Sequence, residues 1–171
     1  MNAANTVSLM SAFPNFKAPG FDMVGFNQQF RERNMIICAR SKNVYYDKHW
    51  GCLSVKFVIR GAGYYKTDHS RYAVNCSNFL ILNRDTEYSS FIDSPTEVES
   101  FTLNFGDEFT RSVVGGLISN PEQVLEGNTK ADTIRMIERV HSREDKIYPI
   151  AANIYNKIPD IYENNEELSE L

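Results

Sequence analysis

The sequence predicts a mainly β fold, a small antiparallel β-barrel followed by a C-terminal set of about three α-helices. Two observations carry this. Between Leu53 and Phe105, short runs of alternating apolar and polar residues follow one another with turn residues between them. After Gly106 the apolar spacing lengthens from two toward 3.6 residues, the period of a helix with one buried face.

The elements are read in chain order. Residues 1–33 carry Phe13, Phe16, Phe21, Phe26 and Phe30 among Pro14, Pro19, Gly20 and Gly25, with neither helical nor strand period. They read as an arm, expected to pack on the barrel because such widely spaced aromatics cannot form a core alone. Residues 34–106 form the barrel. Met35 to Ala39 and Val44 to Tyr46 are strand-like and open it. Leu53, Val55, Phe57 and Ile59 then alternate with Ser54, Lys56 and Arg60, and a turn at Gly61 leads into Tyr64, Tyr65 and Lys66. Phe79 to Leu82 is apolar on both faces, Asn83 to Thr86 breaks the run, and Phe101, Leu103 and Phe105 restore the alternation.

Residues 107–160 are expected to be helical and to serve as an interface. Phe109, Val113, Val114 and Leu117 mark a first helix interrupted by Gly115 and Gly116. A second is capped by Asn128 or Thr129, has Asp132 in its first turn, and carries Ile134, Ile137 and Val140 as its stripe, with His141 and Arg143 at its C-terminal end. In the third, Pro149 suits the first turn, Ile150, Ile154 and Ile158 form the stripe, and Pro159 stops it. Residues 161–171 read as an acidic frayed tail or a linker.

Composition excludes several classes. A chain of 171 residues holds one domain with a substantial core, and 42% apolar content is incompatible with a wholly disordered chain. No apolar run approaches the roughly 20 residues that span a bilayer. Met1 to Met10 lacks the basic and apolar parts of a signal peptide, so a cytoplasmic location is expected. Cys38, Cys52 and Cys76 are odd in number and lack metal-type spacing, which fits reduced thiols. A net charge of −4 with dispersed Lys and Arg argues against a nucleic-acid clamp. Nor do the last two helices suit DNA reading, because Pro149 to Ile158 offers only Asn153, Asn156 and Lys157 to base edges. Their apolar stripes suit covering the barrel or pairing with a second copy, so a homodimer is expected.

In the order Ala39-Arg40-Ser41-Lys42, His49-Trp50-Gly51, Leu53-Ser54-Val55-Lys56, Arg60-Gly61, Tyr64-Tyr65-Lys66, Phe79-Leu80-Ile81-Leu82-Asn83, Glu87-Tyr88-Ser89-Ser90 and Val98-Glu99-Ser100-Phe101, the sequence resembles the N-terminal domain of AraC-type transcription regulators. The resemblance spans about Met35 to Phe105 and rests on the order of these words. It implies a cupin-like sensor barrel (a double-stranded β-helix) that binds a small molecule or mediates dimerisation. It also implies two helix-turn-helix units in the full-length regulator, outside this chain, so that DNA contact belongs to that other part.

A cupin enzyme would need a metal, held by a His-x-His pair, a nearby Glu and a later His. His49, His69 and His141 provide no such pair, and no nucleophile elbow or phosphate-binding glycine loop is present. No catalytic residue, metal or cofactor is therefore assigned. Ligand recognition is assigned instead to Glu99, Tyr88, Tyr64, Trp50 and His49. Glu99 shares strand parity with Phe101, Leu103 and Phe105, so if these point into the barrel Glu99 does too, as a polar anchor; the alternative is a barrel-mouth carboxylate paired with Lys56 or Arg60. Tyr88 and Tyr64 offer aromatic walls with hydroxyl tips, and His49 and Trp50 precede a strand at the rim. The expected effector is a sugar or other metabolite. Two other readings stay open: a ligand-free dimerisation module with a filled barrel, and a metal-dependent cupin enzyme.

Overall fold

A computed structural model describes residues 7–118 and 135–159. Its elements are β1 (Val7–Met10), α1 (Met23–Glu32), β2 (Asn34–Trp50), β3 (Leu53–Arg60), β4 (Ala62–Thr67), β5 (Arg71–Asn75), β6 (Asn78–Leu82), β7 (Glu87–Phe105), α2 (Asp107–Ile118), β8 (Val140–Ser142) and α3 (Ile147–Asn156). The fold is mainly β, as expected, and cupin-like: one mixed sheet of eight strands that doubles over without closing.

Two long strands organise the sheet. β2 and β7 run antiparallel along most of their length, interrupted by irregularities between Ser41 and Asn43 and between Tyr46 and His49. The C-terminal half of β7 pairs with β3, and its N-terminal half pairs with β4. One half of the sheet is therefore β1-β2-β7-β3-β6-β8, and the other is formed by the remaining halves of β2 and β7 with β4 and β5. The halves meet through Val58, Val74, Leu80, Leu82, Tyr88, Ile92 and Val98. Turn chemistry sets the crossover from β3 to β4, where Gly61 takes φ +87° and a Cβ would stand 2.8 Å from Val98 Cγ2.

β3 and the C-terminal half of β7 are buried on both faces. Val55, Phe57, Phe101 and Leu103 face α3, whose Ala151, together with the following Ile158, closes a core that also includes Phe79 and Ile81. The opposite parity brings Ser54, Lys56, Ser100, Thr102 and Asn104 to the other face, all buried. Phe101 and Leu103 thus point away from the fold's interior cleft, and Glu99 goes with them. Strand parity was legible, but which face met the helix was not.

The arm packs on the sheet as expected, yet it is more regular than its sequence suggests. β1 adds a parallel edge strand to β2, and α1 is capped by the Asp22 carboxylate, which accepts from the Gly25 N–H at 2.9 Å. Met23, Phe26 and Phe30 share one face of α1, a stripe obscured in the sequence by the glycines around it. The stripe expected at Ile134, Ile137 and Val140 is corrected in part. Asn128, Thr129, Asp132 and Ile134 lie outside the described residues, but Val140–Ser142 is a strand, paired with β6, and His141 sits on it stacked against Phe79. Edge pairing with β6 outweighs helical spacing there.

Candidate ligand cavity

A cavity of about 990 Å³ lies between the arm and the sheet. The arm supplies an apolar wall of Phe13, Phe16, Phe26 and Phe30, and the sheet supplies Tyr46, His49, Lys56, Tyr65 and Tyr88 with a polar strip of Ser90, Ser100, Thr102 and Asn104. The aromatic wall is continuous. Phe16 packs on Phe21, Phe26 and Tyr46 with ring centroids 4.9–5.4 Å apart, and the Tyr46 hydroxyl donates to the Pro14 carbonyl at 2.6 Å. Burial raises the Tyr46 hydroxyl to a pKa of about 12, so it remains a donor through the physiological range.

Of the residues singled out in the sequence, the structure brings three together here. Tyr88 is buried in the cavity wall, His49 packs on it with centroids 4.3 Å apart, and Trp50 stands at the rim, 65% exposed. Gly51 lets Tyr88 approach the backbone closely, since a Cβ there would lie 3.2 Å from the ring. His49 Nδ1 is 2.7 Å from the Asp47 carbonyl, which favours the Nδ1–H tautomer and leaves Nε2 as an acceptor. Burial lowers the His49 pKa against the opposing pull of that carbonyl, which favours the neutral ring.

The other two lie elsewhere. Glu99 is on the α3 face, where its carboxylate accepts from Tyr155 Oη at 2.6 Å and from Arg40 at 3.0 Å. Burial raises its pKa, but Tyr155 and Arg40 outweigh this and hold it below the usual carboxylate value. It pairs with neither Lys56, which is on the opposite face, nor Arg60, which reaches Glu97 at 3.8 Å. Tyr64 is on the outer surface of β4, stacked on Phe91.

The residue that sequence reasoning missed is Lys56. Its side chain is 6% exposed overall, lines the cavity, and places Nζ 5.0 Å from the Tyr88 ring centroid and 5.6 Å from that of Tyr65. Among the described residues no carboxylate forms an ion pair with it. Desolvation pushes its pKa down, with smaller opposing contributions from Tyr65 and Cys52. A buried cation compensated only by ring faces is costly, and a ligand anion would supply the missing partner. The signal was present in Ser54-Val55-Lys56-Phe57-Val58, where a lysine interrupts a run buried on both sides.

The three histidines do not converge. His49 is in the cavity, His69 follows β4, and His141 is on β8; among the described residues no group of three His, Cys, Asp or Glu is placed to hold a metal.

The fold is cupin-like, with an aromatic-walled cavity between the arm and the sheet. No family model matches the sequence, and no curated protein matches it. Solved structures of ToxT from Vibrio cholerae, an AraC-family regulator, are similar to this chain. One ToxT structure has 13% identity and a TM-score of 0.49, with 71% of this chain and 46% of that chain covered. A ToxT structure with an unsaturated fatty acid bound has 12% identity and a TM-score of 0.39, covering 47% of this chain and 32% of that one. A third, bound to (E)-4-(8-methylnaphthalen-1-yl)but-3-enoic acid, has 16% identity and a TM-score of 0.38, covering 75% and 57%. This chain thus spans less than half the length of the first ToxT chain.

Proposed function

We propose that this chain is the ligand-sensing domain of an AraC-type transcription regulator, and that its cavity takes an amphipathic small molecule carrying one negative charge. The observation that carries the ligand class is Lys56, a buried lysine in the wall of an aromatic-lined cavity that has no carboxylate partner among the described residues. An anionic head would pair with Lys56 and with the Ser100 and Thr102 hydroxyls, while an apolar body would lie against Phe16, Phe26 and Phe30. This narrows the effector from the sugar or other metabolite expected from the sequence to an acid with a hydrophobic body. Tyr88, His49 and Trp50 keep the recognition role assigned to them, as walls and rim.

The sheet suggests how binding would be communicated. Along β7, Ser100, Thr102 and Asn104 face the cavity while Glu99, Phe101 and Leu103 face α3, so one strand serves both sites. A ligand that favours one setting of this strand would bias α3 and whatever follows it. DNA contact would belong to helix-turn-helix units outside this chain.

Thermal unfolding with medium- and long-chain carboxylic acids, the matching primary alcohols and simple sugars tests the reading. Saturable stabilisation by an acid is expected, with little from the alcohol of equal length and loss of the difference in Lys56→Met. Equal stabilisation by acid and alcohol would remove Lys56 from recognition, and stabilisation by sugars alone would overturn the ligand class.

A further inference from the structure

The outer face of the second half-sheet carries an aromatic row that none of the described elements covers. Phe91 on β7 is the cross-strand partner of both Tyr45 on β2 and Tyr64 on β4, and Tyr64 is in turn opposite Ala73 on β5. Tyr45 is 58% exposed and Phe91 and Tyr64 each 38%, with the last two stacked at 5.0 Å. Single exposed apolar residues are ordinary, but here three aromatic residues stand in register on three neighbouring strands, two of them stacked.

The charges that flank the row choose its occupant. Two residues along the strands in one direction lie Lys66 and Arg71, which are cross-strand partners; two residues along in the other lies Asp93, opposite Asn43. All three charged groups are exposed, and none forms an ion pair among the described residues. We propose that this face docks a second copy of the chain, sheet against sheet, about a twofold axis that runs along the ring row. That operation lays each ring row on its counterpart and reverses the strand direction. The Lys66 and Arg71 end of each copy then lies over the Asp93 end of the other, and Asp47, the acid at the basic end, falls over Asn43 rather than another acid. The surface is self-complementary, as an isologous interface requires.

The test is sedimentation of the full chain over a wide concentration range. A dimer is expected that weakens with added salt and becomes monomeric in Phe91→Asp. Asp93→Lys alone, and Lys66→Glu with Arg71→Glu alone, each place like charges face to face and are expected to weaken self-association about tenfold or more, as for charged groups set against one another. Mixing these two variants restores opposite charges at both ends and is expected to yield the heterodimer. Should Phe91→Asp fail to fold, the charge-swap pair decides, since its residues are exposed. A monomer at every concentration overturns the proposal. So does a dimer insensitive to Phe91→Asp and to the charge swap but dissociated by Ile150→Asp, because the contact would then lie on α3.

Discussion

Lys56 sets stability against recognition. Its Nζ is buried over two tyrosine rings, and desolvation pushes its pKa down, so the domain without a ligand bears the cost of burying that group. An apolar side chain of similar length avoids the cost of burying an unpaired ammonium. Lys56→Met is therefore expected to raise the thermal midpoint of the empty domain while removing its preference for acids. A lowered midpoint with unchanged acid binding would show that Lys56 is only structural. The same group predicts a pH sign. Because its folded pKa lies below the unfolded value of a lysine, the empty domain gains stability as pH rises through the interval between them. A bound acid opposes this by holding the lysine charged.

At the scale of elements, the seat of α3 on β7 combines an apolar contact with one polar clasp. Ala151 packs into the core formed by Phe57, Phe101 and Ile81, and Tyr155 donates to Glu99 beside Arg40. Arg40 is largely exposed, so solvent screens its share and the Tyr155 hydrogen bond dominates. Glu99→Gln is expected to cost about 1.5 kcal/mol at pH 7, the usual worth of a hydrogen bond to a charged group. The folded Glu99 pKa is below its unfolded value, so this stabilisation is complete above the unfolded value and disappears as pH falls through the folded one. Urea unfolding of both proteins at neutral and strongly acidic pH checks this: the gap should close in acid. A gap of constant size would assign the loss to packing rather than charge.

Across the whole molecule, the strand order of β3 through β7 follows alternation and turn chemistry that the sequence displays openly, so a mainly β core with a terminal helix at Ile147–Asn156 was legible. The faces were not. Val55, Phe57, Phe101 and Leu103 form one apolar row and look like a barrel interior, but an amphipathic helix offers them an equally dry surface. The cleft received the polar parity, Ser54, Lys56, Ser100, Thr102 and Asn104, which a one-dimensional pattern assigns to solvent. Tyr88, His49 and Trp50 lie at the cavity because aromatic residues beside a turn tend to line a rim whichever face is buried. Glu99 and Tyr64 were drawn in by parity and aromaticity alone, and the register sent one to α3 and the other outside.

The position of Trp50 has an optical consequence. The chain contains one tryptophan, and it stands at the mouth of the cavity, largely open to water, on the same rim as His49. All indole emission from the protein therefore originates at a single point on the proposed entry route. A ligand whose apolar body passes that point exchanges water for hydrocarbon around the excited ring and is expected to shift the emission maximum to the blue. A titration of unlabelled protein would then read occupancy directly. An emission spectrum that stays fixed while the thermal midpoint rises would place the bound molecule deeper than the rim or outside the cavity altogether.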